Sequence, residues 1–205
     1  MEELVSAGRS LRDARKIAIL IHGRGANAAG MLGVADALAM EDFALLAPQA
    51  PGNTWYPFGF MVPESENEPY LSRSLKLIEN SVQQVLDHHR SLQELYFVGF
   101  SQGACLALEY VARHPSAYGG VIAFTGGLIG QTLAEDRYQG DLRNTPVFIG
   151  AGRNDFHVPF SRIEATDRIL GQMGARVKVA GFDDRLHSIR EDEIDMARQF
   201  VLDFG

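Results

Sequence analysis

The sequence contains a single cysteine, Cys105, so an intramolecular disulfide bond is excluded. Long apolar runs are also missing. The longest, residues 17–21, has the length of a strand and falls far short of the roughly 18 residues that a membrane-spanning helix needs. The first residues include Glu2, Glu3 and Arg9, where a signal peptide would need an apolar stretch. These absences predict a cytoplasmic protein without a membrane span.

Positive charges are few. The 19 Lys and Arg residues are outnumbered by 26 Asp and Glu residues, which gives a net charge of -7. Phosphate backbones and anionic lipid surfaces repel an acidic chain, so nucleic acid is not an expected partner. The chain also lacks repeats and Pro- or Ser-rich linkers, and 46% of its 205 residues are hydrophobic, as in ordinary globular proteins. Residues 1–205 are therefore predicted to form one domain.

Six short apolar runs rich in Val, Ile and Phe predict six strands, at residues 16–22, 43–47, 95–100, 120–125, 146–150 and 176–182. The runs are continuously apolar, whereas a sheet with one solvated face would alternate apolar and polar residues. This pattern predicts strands that are buried on both faces, as in a parallel sheet. Residues 1–15 are weakly patterned, and they are compatible with either a tail or an extra edge strand.

Helical periodicity lies between the predicted strands, at residues 29–40, 70–89, 102–114, 158–173 and 191–202. Strands that alternate with helices through right-handed crossovers form an open, mostly parallel, twisted sheet with helices on both faces. The fold class is thus predicted to be α/β. Ligands of such sheets bind at the carboxyl ends of the strands, so the loops that follow strands are where chemistry is expected.

The loop after the third predicted strand carries a Gly-x-Ser-x-Gly motif formed by Gly99, Ser101 and Gly103. A serine turned sharply from a strand into a helix leaves no room for side chains at the flanking positions, which explains both glycines. Ser101 is therefore expected at a helix N-terminus, where free N–H groups and the helix dipole favour an oxyanion. This context predicts a nucleophilic serine.

A nucleophilic serine needs a base and a carboxylate that orients the base. Asp155 follows the fifth predicted strand and His187 follows the sixth, so both come from loops at the same edge of the sheet as Ser101. The chain order Ser, Asp, His is the one used by α/β-hydrolases. We therefore assign Ser101, His187 and Asp155 as candidate nucleophile, base and orienting acid.

Other titratable residues compete for these roles. His157 is the alternative base, but it lies only two residues from Asp155 and would have to face both that carboxylate and the serine. Asp183 and Asp184 share a loop with His187 and are interpreted as solvated turn residues. The remaining histidines near helix ends are interpreted as solvated or capping residues: His88, His89 and His114.

The glycine-rich loop after the first predicted strand, residues 22–27, permits two interpretations. Its Gly-x-Gly spacing resembles a dinucleotide fingerprint, but the next strand ends in Ala-Pro-Gln, where a ribose-binding acid should stand. The preferred interpretation is an oxyanion loop, in which the backbone N–H groups of Arg24 and Gln102 hold the developing oxyanion. For the side chain of Arg24, the sequence is compatible with either an exposed surface position or a role in bracing a loop.

Three motifs and two loops occur together and in order: His-Gly-Arg-Gly at 22–25, Ala-Pro-Gln-Ala at 47–50, Gly-Phe-Ser-Gln-Gly-Ala at 99–104, and the loops of Asp155 and His187. Together they resemble the phospholipase/carboxylesterase family of α/β-hydrolases, which includes acyl-protein thioesterases and small bacterial carboxylesterases. The resemblance implies an α/β-hydrolase fold and the same roles for the residues assigned above. Two features depart from the family pattern: residues 156–159 read Phe-His-Val-Pro, and Arg-Leu at 185–186 replaces the usual glycine before the histidine.

The loop at residues 55–63 follows the second strand and is rich in large apolar side chains. It is interpreted as packing on its own core, as an acyl-pocket wall, or as a contact between two copies in a homodimer. Trp55, Phe60 and Leu128 are the candidate substrate-binding residues, and Leu128 lies in the Gly-rich segment 126–130, which is equally compatible with a plain turn. Cys105 is interpreted as a small, inert core residue.

The expected activity is hydrolysis of small carboxylic esters through an acyl-enzyme, with thioesters and lysophospholipids as open alternatives. No cofactor is expected, and the short connections leave no room for a cap domain. Two rival interpretations stay open. A metal-dependent hydrolase would use Asp155, His157, Asp183 and His187 as ligands, and a catalytically silent binding protein would share the fold alone.

Overall fold

The computed structural model describes residues 4–88 and 90–203. Its strands are β1 (Leu4–Gly8), β2 (Lys16–Ile21), β3 (Phe43–Pro48), β4 (Leu95–Phe100), β5 (Gly120–Phe124), β6 (Pro146–Gly152) and β7 (Arg176–Phe182). Its α-helices are α1 (Gly30–Ala37), α2 (Glu64–Asn67), α3 (Tyr70–Asp87), α4 (Gln102–Arg113), α5 (Phe160–Gln172) and α6 (Glu191–Ala197). His89 lies outside the described residues, whereas His88 follows α3 and is exposed.

The seven strands form one sheet in the order β1-β3-β2-β4-β5-β6-β7. Strands β2 to β7 are all parallel to one another, and β1 pairs antiparallel with β3 at the edge. The prediction of a mostly parallel sheet is confirmed. For residues 1–15, which the sequence left between a tail and an edge strand, the structure places residues 4–8 in an edge strand.

Successive side chains of a buried strand enter two different cores. In β2, Ile17, Ile19 and Ile21 belong to the core beneath α3, α4 and α5, while Ala18 and Leu20 belong to the core beneath α1 and α6. This double burial is the physical reason for the continuously apolar sequence of the central strands. Strand β7 differs, because it is an edge strand and its residues are only half-buried.

Several helix ends differ from the predicted boundaries, and the end of α1 is the clearest case. Helix α1 ends before the predicted residue 40 because Ala39 takes a left-handed conformation with φ +56°, and the Met40 N–H donates to Ala35 O at 3.1 Å. This is the helix-ending turn that glycine usually forms, so the sequence carried no glycine to signal it. The predicted helix at 191–202 has the predicted ends, because α6 continues directly as a π-helical turn over Arg198–Leu202. Val201 of this turn packs against the strand residue Gly120.

No helix of the described segments 4–88 and 90–203 is both long and apolar enough to cross a membrane.

The parallel strands all end at the same edge of the sheet, so the loops after β2, β4, β6 and β7 lie side by side there.

Candidate active site

Ser101 stands between β4 and α4 in a strained backbone conformation, with φ 54° and ψ -116°. The turn is possible only because both flanking residues are glycine. A Cβ atom on Gly99 would lie 2.4 Å from Gly103 O, and one on Gly103 would lie 2.0 Å from Ile21 O. The tight packing of α4 against β2 therefore holds the serine at the strand end.

A continuous row of hydrogen bonds joins the serine to His187 and Asp155. Ser101 Oγ lies 2.7 Å from His187 Nε2, and His187 Nδ1 lies 2.7 Å from Asp155 Oδ2. Because a carboxylate can only accept, Nδ1 carries the proton and donates to Asp155. In the neutral imidazole, Nε2 is then free to accept the proton of the serine hydroxyl. The row is arranged for removal of that proton.

The competing residues occupy other places. The His157 side chain is exposed, and its ring centroid lies 4.8 Å from that of His187, beside the row rather than in it. Its backbone N–H donates to Asp155 Oδ1 at 2.8 Å, which helps to hold the buried carboxylate. Asp183 is exposed and accepts from Asn154 at 3.4 Å.

The sequence predicts that Asp184 is a solvated turn residue, but the structure shows its carboxylate in a network of hydrogen bonds. Its carboxylate accepts from Arg190 Nε at 2.9 Å, from a second nitrogen of the same guanidinium, and from the Leu186 N–H at 2.9 Å. These bonds hold the pKa of Asp184 below its usual value. The sequence interpretation missed this pair, because neither residue belongs to a recognisable motif.

The loop after β2 is anchored by a buried histidine, His22. The Ala50 N–H donates to His22 Nε2 at 3.1 Å, so the proton resides on Nδ1, which donates to Gly23 O at 2.7 Å. Burial lowers the pKa of His22, which favours this neutral form. Within the described residues, no backbone acceptor is found for the N–H of Arg24 in this loop or for the N–H of Gln102 at the start of α4. Both residues line the same cavity as Ser101.

Two side chains brace the loop at residues 55–63. The guanidinium of Arg24 donates to Pro57 O at 2.8 Å and to Phe58 O at 2.6 Å, so its side chain is a loop brace. Gln102 accepts from the Trp55 N–H at 3.0 Å and donates to Tyr56 O at 2.8 Å. Sequence reasoning considered only the backbone of Gln102.

A cavity of about 290 Å³ opens beside Ser101. Its lining consists of Arg24, Tyr56, Gly59, Phe60, Phe100, Ser101, Gln102, Cys105, His157, Val158 and His187. Of the three candidate substrate-binding residues, only Phe60 is among them. Trp55 is buried elsewhere, since its indole N–H donates to His22 O at 2.8 Å.

Leu128 is also absent from this lining, and buried charges explain why. Arg162 donates to Leu128 O at 3.0 Å and to Gly130 O at 2.7 Å, while Glu109 accepts from the Ile129 N–H at 2.9 Å. These bonds hold the loop after β5 against α4 and α5, with Leu128 fully buried. Sequence reasoning could not foresee this arrangement, because Glu109 and Arg162 look like ordinary helix residues.

Cys105 also lines the cavity and lies one helical turn after Ser101. It is 1% exposed, and burial raises the pKa of its thiol to about 12. The thiol is therefore protonated at neutral pH and a poor nucleophile. In residues 4–88 and 90–203, no group of three or more His, Cys, Asp or Glu side chains is placed to hold a metal ion.

Glu193, on α6 behind the histidine loop, is a buried carboxylic acid. Its Oε2 accepts from Arg190 N and Nη1, both at 3.2 Å, whereas Oε1 has no hydrogen-bond partner in the described part of the chain. Burial raises the pKa of Glu193 from 4.5 to about 7. The folded protein therefore retains a proton between these pH values that the unfolded chain releases.

This raised pKa predicts a pH-dependent contribution to stability. The contribution of Glu193 is fully present below pH 4.5 and is lost as the pH rises through about 7. Relative to Glu193→Gln, which does not titrate, we expect the wild type to lose up to about 3 kcal/mol of unfolding free energy over this range. Urea unfolding of both proteins at pH 5 and pH 8 measures the difference, and parallel pH dependences would contradict it.

Comparisons with known proteins agree on one family. The model of the family described as Phospholipase/Carboxylesterase matches residues 5–203. A probable carboxylesterase, SOBER1-like, from Arabidopsis thaliana is 24% identical over 96% of this chain and 83% of its own length. Acyl-protein thioesterase 1 of Saccharomyces cerevisiae is 29% identical over 73% of this chain and 74% of its own.

Solved structures show the same fold. The crystal structure of a phospholipase/carboxylesterase from Dyadobacter fermentans superposes with a TM-score of 0.96 at 42% identity, covering 98% of this chain and 97% of the other. The Bacillus cereus carboxylesterase superposes with a TM-score of 0.80 at 18% identity, over 98% and 93% of the two chains. The chain therefore belongs to the phospholipase/carboxylesterase family of α/β-hydrolases and is an esterase-type serine hydrolase.

Proposed function

We propose that this protein is a serine carboxylesterase that hydrolyses small carboxylic esters through an acyl-enzyme on Ser101. The observation that carries the proposal is the row from Asp155 through His187 to Ser101, with two contacts of 2.7 Å, at the wall of a cavity. Nucleophile, base and orienting carboxylate are then within reach of one bound carbonyl group.

In the first half of the reaction, Ser101 Oγ attacks the ester carbonyl while its proton passes to His187 Nε2. Asp155 accepts from Nδ1–H throughout and stabilises the imidazolium that forms. The backbone N–H groups of Arg24 and Gln102 donate to the oxyanion of the tetrahedral intermediate. When the intermediate collapses, His187 returns the proton to the leaving alcohol, and the acyl group stays on Ser101.

In the second half, water takes the place of the alcohol. His187 removes a proton from the water as it attacks the acyl carbonyl, and the same two amides hold the second oxyanion. Collapse of this intermediate returns the proton to Ser101 Oγ and releases the carboxylic acid. The proposal requires no cofactor, because the chain supplies every proton acceptor and donor.

The cavity supports a small acyl group. Its volume of about 290 Å³ lies just below the roughly 300–1,000 Å³ typical of ligand pockets. Tyr56, Phe60 and Val158 provide apolar walls.

A thioester is the second candidate substrate, favoured by the relatives named acyl-protein thioesterase, and it differs only in the group that leaves. Cytoplasmic location and a homodimer stay predictions.

Covalent labelling tests the proposal directly. A fluorophosphonate should add once to the wild type, as seen by intact mass, and should not add to Ser101→Ala. Ser161→Ala, at an exposed serine of α5, is the matched control and should label like the wild type. In parallel, p-nitrophenyl esters from acetate to decanoate should be hydrolysed fastest at short chain length.

Folded wild-type protein that neither labels nor hydrolyses any ester at pH 7 to 8 would overturn the proposal. A catalytically silent binding protein with the same fold would then be the better interpretation. Labelling that persists in Ser101→Ala would instead show that another residue is the nucleophile.

A further inference from the structure

The loop that carries His187 lacks the glycine expected before the histidine, since Arg185 and Leu186 stand there. Leu186 is 55% exposed, so apolar packing does not hold this segment in place. His187 must nevertheless keep both ring nitrogens at 2.7 Å from their partners. Something other than the packing of its neighbours has to hold the backbone on either side of it.

Arg190 contacts the backbone on both sides of His187. Its Nη2 donates to Leu186 O and its Nη1 to Ser188 O, each at 3.2 Å. These carbonyl groups belong to the residues immediately before and after the histidine. A planar guanidinium has several N–H donors in a rigid arrangement, which allows one side chain to bind both carbonyls at once.

The guanidinium is itself held from three sides. Asp184 binds it through Nε and Nη2, Glu193 accepts from Nη1 at 3.2 Å, and the ring of Phe182 lies 4.6 Å from its central carbon. Its side chain is only 12% exposed and that of Glu193 is buried, while that of Asp184 is 31% exposed. The Leu186 N–H donates to the same Asp184 carboxylate at 2.9 Å, which closes a ring of hydrogen bonds around Leu186.

The same cluster reaches the loop of Asp155. A Cβ atom on Gly152 would lie 2.6 Å from Asp184 Oδ1 and 3.2 Å from Arg190 Nη2, so glycine lets the ion pair approach the end of β6. In addition, the Asn154 N–H donates to Asp184 O at 3.0 Å. The loops that carry the histidine and its orienting carboxylate are thereby tied to one another.

We propose that Arg190 is the positioning residue of His187, holding the carbonyl groups on both sides of it and fixing that loop against the loop of Asp155. This inference rests on the proposed role of His187 as the base. Arg190 is not among the residues that line the cavity, and its hydrogen bonds go to the loop of His187 and to Glu193, so it acts on the reaction through the placement of the imidazole.

The test compares Arg190→Gln and Arg190→Lys with Arg198→Gln, a control farther along the same segment, whose guanidinium pairs with Asp195 at 3.1 Å. Arg190→Gln should lower kcat for p-nitrophenyl acetate by about 10- to 100-fold with KM changed less than about twofold, because misplacing a catalytic group by about 1 Å costs roughly that much. Arg190→Lys keeps the positive charge beside Asp184 and Glu193, but a single ammonium group replaces the planar guanidinium and cannot bind both carbonyl groups in the same way. It should therefore fold and still lose part of kcat.

Rates are expressed per folded molecule, using the folded fraction from circular dichroism. The second measurement is the proton NMR signal of His187 Nδ1–H, which a short hydrogen bond to a carboxylate shifts downfield of the amide region. The signal should be present in the wild type and in Arg198→Gln, and broadened or lost in Arg190→Gln.

An unchanged kcat per folded molecule in both Arg190 variants would overturn the proposal, and so would an unchanged downfield signal. If the wild type itself shows no labelling and no turnover, the proposed function fails. The downfield signal still decides the placement of His187 in that case, because it requires no catalysis.

Discussion

Replacing Asp155 with asparagine is expected to lower kcat by about 10⁴-fold without unfolding the protein. Asp155 uses both carboxylate oxygens: Oδ2 accepts from His187 Nδ1–H, and Oδ1 accepts from the His157 N–H at 2.8 Å. In the variant the amide oxygen must face the His157 N–H, because an amide nitrogen there would oppose another donor. The NH₂ group then faces His187 and donates to Nδ1. This moves the imidazole proton to Nε2, which can no longer accept the proton of Ser101.

The measurement is kcat for p-nitrophenyl acetate, together with the rate of fluorophosphonate labelling. Asp183→Asn is the matched control, because it makes the same chemical change at an exposed carboxylate in the neighbouring loop. The control should stay within about twofold of the wild type. A loss of less than tenfold in Asp155→Asn would show that the carboxylate does not set the tautomer of His187.

Replacing Gly103 with alanine is expected to destabilise the fold by about 3 kcal/mol or more. The added Cβ would lie 2.0 Å from Ile21 O and 2.6 Å from His22 O. Both contacts are with backbone, which cannot rotate away like a side chain. Helix α4 and strand β2 would have to separate, and Ser101 would move with the helix.

Urea unfolding monitored by circular dichroism measures this effect as a lower midpoint. Gly171→Ala in α5 is the matched control, since a Cβ there meets nothing within 4 Å. That control should gain roughly 0.5 to 1 kcal/mol from the helix preference of alanine. Equal effects of the two substitutions would show that the close approach of α4 to β2 is not what requires glycine.

The central sheet could be predicted from the sequence because its strands are buried on both faces. Residues 95–100 and 176–182 were predicted with the boundaries that the structure has. The helix at 29–40 was predicted too long, because Ala39 ends α1 in a conformation that the sequence signals only through glycine. The single turn of α2 was not predicted, since four residues are too few to show a helical period.

At the candidate site, a local motif and the position of loops after strands were enough to name Ser101, Asp155 and His187. These residues could be predicted from the sequence because few residue types can serve as nucleophile, base or orienting acid, and few such residues follow the predicted strands. The structure brings the three side chains into one row of hydrogen bonds. It does not bring Trp55 and Leu128 to the cavity, because apolar side chains in a loop carry no signal of which way they face.

The sequence by itself determined the α/β architecture, the family and the strand-end loops in which to look for chemistry, since these depend on burial pattern and on short motifs. Only the tertiary structure decided how those loops are held. Arg190 donates hydrogen bonds to the backbone carbonyl groups on both sides of His187. Arg162 and Glu109 form hydrogen bonds with the backbone of the loop after β5. Such contacts join a side chain of ordinary type to backbone groups that every residue possesses. Their partners can therefore be identified only when the chain has folded and brought them within hydrogen-bonding distance.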